Sequence, residues 1–133
     1  MICSITACNP LKKGDWEKTG RSLLRLDPDM YAYHDIIVLP NQGCEGCISS
    51  VENYVLTNFP ELNATRIIFT RISSVKLLKI RMGDSIFHAP NVIIDSTNLF
   101  EFPQTEATIY PLFIKAENKK ITDISVQSPE NMH

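Results

Sequence analysis

The stretch DIIVLPNQGCEGC, from Asp35 to Cys47, decides the fold that we predict for this chain. It begins with a short apolar run rich in β-branched residues, Ile36 to Leu39, which is typical of a strand buried on both faces. A proline, an asparagine and a glycine follow, and residues of these types end strands and turn the chain. The sequence therefore predicts a buried strand and a turn directly before Cys44.

A helical pattern follows this turn and carries a Cys-x-x-Cys motif in its first turn. Apolar residues recur on one side of the predicted helix, polar residues occupy the other side, and Pro60 ends the pattern. The apolar side holds Ile48, Val51, Val55 and Phe59, and the polar side holds Glu45, Ser49, Glu52 and Asn53.

The position of the two cysteines has a chemical consequence. Residues three apart in a first helical turn lie on nearly the same face, so Cys44 and Cys47 are within disulfide reach. The helix N-terminus carries partial positive charge and unpaired N–H groups, which favour the thiolate, the nucleophile in disulfide exchange. We therefore predict that Cys44 attacks and that Cys47, further into the helix and more covered, resolves the mixed disulfide.

Three segments resemble the thioredoxin-like superfamily, nearest to its extracytoplasmic resealing and reducing branches. They are the strand, turn and helix around Cys44-Glu45-Gly46-Cys47, the run ATIYPLFI from Ala107 to Ile114, and the run ENKKI from Glu117 to Ile121. The second segment looks like the strand that the family opens with a cis-proline facing the Cys pair. The third looks like the polar hairpin turn after that strand. The resemblance covers the chain from Tyr33 to Val126.

The resemblance implies an α/β thioredoxin-like fold, with a central mixed β-sheet flanked by helices. It implies a thiol-disulfide oxidoreductase that acts on a protein thiol or disulfide, without a cofactor or a metal. Pro111 would follow a cis bond, so that the Tyr110 backbone approaches the Cys pair and pairs with an extended substrate segment. The Tyr110 ring would add an apolar wall. Gly43, Glu45 and Gly46 complete the predicted substrate-binding surface.

The chain also departs from the family pattern. Thioredoxins keep a buried aspartate where this chain has Val38, a tryptophan where it has Gly43, and Gly-Pro where it has Glu45-Gly46. The negative charge of Glu45 opposes thiolate formation at Cys44. The closing C-terminal helix of the family is also missing. These departures argue against an efficient general reductase, but exchange itself needs only two close thiols and access.

The remaining elements follow from local patterns. The segment from Lys12 to Leu26 fits either a helix, with Gly20 badly placed in its interior, or an extra edge strand, and Trp16 is predicted to anchor it by packing. Later predictions are a strand at 67–69 parallel to the first, and a helix at 73–82 to which Val75, Leu77, Leu78 and Ile80 supply apolar surface. They continue with a short strand at 91–94, a helical turn at 97–102, a strand at 107–115 and an antiparallel edge strand at 120–127.

Length and composition limit the function further. The chain has 133 residues, which suits one domain, and we divide it into an N-terminal arm, 1–20, and a thioredoxin-like domain, 21–133. A net charge of −2 without a basic stripe argues against a nucleic-acid binder. No apolar stretch is long enough to span a bilayer. We predict a monomer.

The N-terminal arm contains Ile5-Thr6-Ala7-Cys8, which resembles a bacterial lipobox with Cys8 as the lipidated residue. Only four residues precede the pattern, so Met1 is then an internal start of a longer precursor. This interpretation predicts a periplasmic domain tethered to the membrane through Cys8. In the alternative interpretation Cys3 and Cys8 are incidental residues of a loose arm, and the location is cytoplasmic.

Two other functions stay open. A redox-silent thioredoxin-like module would hold a peptide or partner in the groove beside Pro111. A Cys-based metal-binding protein would need two more ligands besides Cys44 and Cys47, and His88, Cys3 or Cys8 would have to supply them.

Overall fold

The structure, a computed structural model, describes residues 13–102 and 109–128. Its strands are β1 (Asp35–Pro40), β2 (Thr65–Thr70), β3 (Val92–Ile94), β4 (Leu112–Glu117) and β5 (Lys120–Val126). Its helices are α1 (Lys13–Leu26), α2 (Glu45–Asn58), α3 (Val75–Met82) and α4 (Asp84–Phe87), with 3₁₀ turns at Met30–Ala32 and Phe59–Glu61. The five strands form one sheet in the order β3-β2-β1-β4-β5.

The sheet is mixed, and its central strand is β1. Strand β1 pairs in parallel with β2 and antiparallel with β4, while β3 adds to β2 in parallel and β5 to β4 antiparallel. All residues of β1 after Asp35 are buried, as the apolar run predicted. The predicted α/β class with helices around a mixed sheet is confirmed.

Each face of the sheet carries its own core. On the face that we name the α1 face, Leu23 of helix α1 packs with Ile36, Val38, Ile68, Leu112 and Ile114. On the opposite face, named the α2 face, Ile48, Val51 and Val55 of α2 and Leu78 and Met82 of α3 pack with Ile37, Leu39, Ile67 and Phe69. The connection from β1 to β2 thus runs through α2 on one face, and it holds the start of α2 at the carboxyl end of β1.

Helix α1 resolves the ambiguity of the segment from Lys12 to Leu26. The helix is continuous, so the boundary that we placed between residues 20 and 21 falls inside it. Trp16 packs against the α1-face core, which confirms the predicted packing role. Tertiary packing of Leu23, which is fully buried, outweighs the helix cost of Gly20.

The hairpin of β4 and β5 turns through Asn118 and Lys119, both of which have positive φ. The register passes from Lys115 opposite Asp123 to Ala116 opposite Ile121, so Thr122 is an extra residue in β5. This bulge places Ile121 on the α1 face with Ile124 and Val126. It explains why the alternation of the predicted edge strand at 120–127 is imperfect.

Two predicted elements differ from the structure. The strand predicted at 107–115 begins only at Leu112, and residues 107 and 108 lie outside the described part. The helical turn predicted at 97–102 is not helical, because the buried carboxylate of Asp95 accepts hydrogen bonds from the N–H groups of Leu99 and Phe100. No helix follows β5 up to Ser128, where the described residues end.

Helix α3 has the predicted ends, but most of its apolar surface is exposed. Ser74 caps it and Gly83, with φ of 88°, ends it. Of the four residues that supply the predicted apolar surface, only Leu78 is buried, whereas Leu77 and Ile80 are 59% and 68% exposed. The short helix contacts the core through one narrow stripe that Leu78 and Met82 form at i, i+4 spacing.

Candidate redox site at the start of helix α2

The loop between β1 and α2 is fixed by backbone and side-chain hydrogen bonds. The N–H of Asn41 donates to the carbonyl of Thr70, at the end of the neighbouring strand β2, over 2.9 Å. The side-chain oxygen of Asn41 accepts from the N–H of Ser73 at 3.2 Å. Because these bonds join the loops after two parallel strands, the start of α2 is held rigidly at the carboxyl end of the sheet.

Gly43 lets the backbone before the cysteines approach a distant part of the chain. Its φ of 141° is rarely adopted by other residues, and a Cβ there would lie 2.9 Å from the Cα of Ile109 and closer still to its carbonyl oxygen. The adjacent N–H of Cys44 donates to that carbonyl over 3.0 Å. Ile109 is therefore the residue that the fold brings against the Cys pair.

Cys44 and Cys47 form a disulfide, with Cα atoms 5.3 Å apart. Cys44 is the N-cap residue of α2, and its sulfur accepts a hydrogen bond from the N–H of Cys47 at 3.3 Å. Cys44 is half-buried, whereas Cys47 is only 3% exposed and contributes to the core. The prediction that Cys47 is the more covered of the two cysteines is confirmed.

Two nearby charges have opposite effects on a thiolate at Cys44. The N-terminus of α2 places partial positive charge and a donated N–H at the sulfur, which favours a thiolate when the disulfide is reduced. Glu45, the first helical residue, is exposed and adds a negative charge beside the sulfur. Because Glu45 is solvated, water screens its repulsion, and we expect the helix N-terminus to dominate.

Pro111 differs from its prediction. The described residues contain no cis peptide bond, so the Tyr110–Pro111 bond is trans and not cis. Tyr110 is half-buried and packs against the α1-face core, and Pro111 is buried. The backbone that contacts the Cys pair is that of Ile109, two residues before Pro111 and before β4 begins at Leu112. This contact therefore forms with a trans bond at Pro111.

A shallow groove of about 270 Å³ runs beside the start of α2. It is lined by Asn41, Glu45, Ile48, Ser49, Glu52 and Arg81. Glu52, which the helical pattern placed on the polar side, is 8% exposed and binds the Arg81 guanidinium through two hydrogen bonds of 3.0 and 2.9 Å. This bidentate ion pair ties α2 to α3 and leaves Glu45 as the acidic residue of the groove nearest to Cys44.

The other candidate ligands do not join the Cys pair in the described residues. His34 contacts the carbonyl of Ala116, and His88 contacts the carbonyl of Asp84. Within residues 13–102 and 109–128 there is no group of three or more His, Cys, Asp or Glu side chains that could hold a metal ion. Cys3 and Cys8, with the predicted lipobox, lie outside the described part.

Two of the site contacts were missed by sequence reasoning. The contact of Ile109 with Cys44 joins segments that are 65 residues apart, and the only local signal for it is Gly43, which permits a close backbone approach. The burial of Glu52 has no local signal, because its partner Arg81 comes from another helix.

Comparison with protein-family models, with curated proteins and with solved structures gave no match. Among the described residues, every helix is too short or too polar to cross a membrane. The site must therefore be interpreted from its own geometry.

Proposed function

We propose that this chain is a thioredoxin-like thiol-disulfide oxidoreductase that exchanges the Cys44–Cys47 dithiol or disulfide with a protein partner. The observation that carries the proposal is the bonded Cys pair at the N-terminus of a helix, with the Cys44 sulfur accepting the N–H of Cys47. The strand β1 before the pair, the helix α2 after it and the β4–β5 hairpin beside β1 support the thioredoxin-like assignment.

The exchange balances without any further reactant. In the reducing direction, the thiolate of Cys44 attacks one sulfur of the partner disulfide, which forms a mixed disulfide and releases the other partner sulfur as a thiolate that takes a proton from water. Cys47, deprotonated, then attacks the Cys44 sulfur. This step forms the Cys44–Cys47 disulfide of the structure and releases the second partner thiol. The oxidising direction is the reverse.

The difference in exposure supports these separate roles. An incoming sulfur can reach the half-exposed Cys44, whereas Cys47 is enclosed by the core and can reach only Cys44. The Cys44 thiolate would also keep the N–H of Cys47 as a hydrogen-bond donor, so no rearrangement is needed to stabilise the charge.

The partner surface that we propose differs from the one implied by a cis-proline. The carbonyl of Ile109 is already bonded to Cys44, so it is not free to pair with a substrate. Ile109 is 42% exposed, and Glu45 and Gly46, which follow Cys44 in the chain, are exposed as well. We propose that an extended partner segment crosses between them, with an apolar contact to Ile109.

The location of the protein is also a proposal. It rests on the lipobox-like pattern at Cys8, which predicts an extracytoplasmic domain tethered to the membrane. Labelling with a radioactive fatty acid, compared with a Cys8→Ala variant, tests the tether. Equal labelling of both proteins would contradict it.

The experiment that tests the function is the trapping of a mixed disulfide. In a background where Cys3 and Cys8 are serine, we expect Cys47→Ser to accumulate a covalent adduct with oxidised insulin, because the resolving thiol is missing. The matched variant Cys44→Ser should form none, since Cys47 is enclosed. Insulin turnover with dithiothreitol should fall to background in both variants. If Cys44→Ser and Cys47→Ser instead reduce insulin at the same rate as the wild type, a redox-silent binding module is favoured.

A further inference from the structure

A second groove lies between helix α1 and the β4–β5 turn and contains no residue of the redox site. Its open volume is about 420 Å³, within the range of small binding pockets. Its apolar or small lining residues, which we call the floor, are Trp16, Gly20, Leu24, Tyr31 and Ile121. Its charged and exposed lining residues, which we call the rim, are Glu17, Arg21, Lys119 and Lys120. We name it the α1 groove.

The rim of the α1 groove is strongly positive. It carries the three cations Arg21, Lys119 and Lys120 against the single carboxylate of Glu17, although the whole chain has a net charge of −2. Among the described residues, none of these three cations forms an ion pair with a carboxylate. Three positive charges and one negative charge therefore lie on this concave surface, so positive charge is in excess.

The hairpin turn presents one of these cations at a conformational cost. Lys119 has φ of 62°, and at this position of a two-residue hairpin turn glycine is the residue without strain. Its side chain lines the groove instead.

The floor is apolar but carries polar groups at its edge. Among the described residues, the buried indole Nε1 of Trp16 has no hydrogen-bond partner, which is rare for a buried donor. Burial raises the pKa of the Tyr31 hydroxyl above its usual value. Leu24, 41% exposed, and Ile121, half-buried, supply apolar surface between them.

We propose that the α1 groove binds an acidic protein segment that carries an apolar side chain. The carboxylates of the segment lie against Arg21, Lys119 and Lys120, and its apolar side chain rests on Leu24, Ile121 and the Trp16 ring. The concave shape favours a peptide over an anionic membrane, because a peptide can enter the groove and contact its floor, whereas a flat lipid surface cannot. The site is independent of exchange at Cys44 and would hold a partner on a different surface.

Trp16 is the only tryptophan of the chain, so its emission reports on the α1 groove directly. The probe is a synthetic peptide with glutamates on both sides of a leucine and a phenylalanine, titrated into the full oxidised chain. We expect a saturable change in Trp16 emission with this peptide and none with the same peptide carrying lysines in place of glutamates. Absence of any change with the acidic peptide, confirmed by calorimetry, would overturn the proposal.

Charge reversal on the rim gives the second test. The variant Lys119→Glu/Lys120→Glu should bind the peptide about tenfold more weakly, as expected for the loss of two exposed ion pairs. The control Lys76→Glu changes an exposed lysine of α3, outside the groove, and should bind like the wild type. An equal loss in the control would mean nonspecific attraction and would overturn the proposal.

Two further measurements test the role of Lys119 and distinguish a peptide site from a membrane contact. Lys119→Gly removes the charge and the strained φ together, so it should fold more stably and still bind more weakly; unchanged affinity would contradict the role of this residue. Binding to vesicles of phosphatidylglycerol and phosphatidylcholine, with no binding of the peptide, would replace the proposal with a membrane contact.

Discussion

Helices α2 and α3 begin in the same way, but one begins with a sulfur atom and the other with a hydroxyl. Both follow parallel strands of the sheet, and in both the N-cap side chain accepts a hydrogen bond from the N–H three residues later: 3.3 Å from Cys44 to Cys47, and 3.2 Å from Ser74 to Leu77. Serine is among the best N-cap residues, whereas cysteine is not among those preferred. Position 44 therefore has the weaker cap of the two and carries a sulfur atom at the start of its helix.

The two helix starts also differ in what surrounds them. The turn before α2 is pressed against the backbone of Ile109, so that one side of Cys44 is covered. Ser74 is joined to no such distant segment among its described hydrogen bonds, and Val75 and Leu77 beside it are exposed. Among the described residues, the N-cap residue Cys44 is therefore held by a long-range contact with Ile109, whereas the N-cap residue Ser74 has no such contact.

The largest effect on stability is expected from adding a side chain at Gly43, because the backbone of Ile109 lies against this residue. Gly43→Ala places a Cβ against the backbone of Ile109 at a φ of 141°, and we expect it to lower the free energy of unfolding by about 2–4 kcal/mol. Urea unfolding of both proteins measures this loss. Gly46→Ala is the matched control, because nothing lies within 4 Å of its added Cβ and alanine is the better helix former. A loss in Gly46→Ala equal to that in Gly43→Ala would refute the explanation.

The next largest effect concerns the ion pair that joins the two helices. Arg81→Gln leaves the buried carboxylate of Glu52 without its bidentate partner, which we expect to cost about 2 kcal/mol, below the value for a fully buried pair because Arg81 is 42% exposed. Adding Glu52→Gln should restore part of this loss. The control Lys79→Gln removes an exposed pair with Asp84 at 3.7 Å and should cost almost nothing. If Arg81→Gln and Lys79→Gln lower the free energy of unfolding by the same amount, the Glu52–Arg81 pair does not tie α2 to α3.

Local sequence patterns predicted the elements whose signals are local. Strand β1 followed from the apolar run at 36–39, and the start and end of α3 followed from Ser74 and Gly83. The pattern at 13–26 remained ambiguous, because Gly20 disfavours a helix and only the tertiary burial of Leu23 shows which state is adopted. Propensity is a weak guide where packing decides the outcome.

The site was predicted less completely than the fold. The Cys pair and its helix follow from spacing, but the backbone contact of Ile109 and the burial of Glu52 depend on segments that lie far apart in the chain. The cis bond at Pro111 was expected from a resemblance, and the described residues contain no cis bond. The bulge at Thr122 could have been suspected from the broken alternation of the strand, since an extra residue shifts every later side chain to the other face.

A smaller effect is expected from removing the hydroxyl cap of α3. Ser74→Ala leaves the N–H of Leu77 without its acceptor and should lower the free energy of unfolding by about 1 kcal/mol. Cys44→Ser should be at least as stable as the reduced wild type, because serine caps a helix better than cysteine. Thermal unfolding of the reduced proteins compares the two positions. A lower stability of Cys44→Ser would mean that the sulfur has a structural role that the hydroxyl cannot fill.

The smallest effect is expected from the charge beside the reactive sulfur. In a background where Cys3, Cys8 and Cys47 are serine, Glu45→Gln removes a negative charge next to Cys44 and so favours its thiolate. We expect alkylation by iodoacetamide at neutral pH to become about threefold faster, a size typical of an exposed charge. Glu61→Gln, an exposed glutamate beyond the other end of α2, is the control and should leave the rate unchanged.

Salt distinguishes a charge effect from a change in access. Because Glu45 is exposed, concentrated salt should screen its repulsion and bring the alkylation rates of Glu45→Gln and its parent together. A difference that persists in concentrated salt would mean that the Glu45 side chain blocks the sulfur sterically. In that event the acidic residue would restrict which partner segments reach Cys44, and its charge would contribute little to the reactivity of the cap.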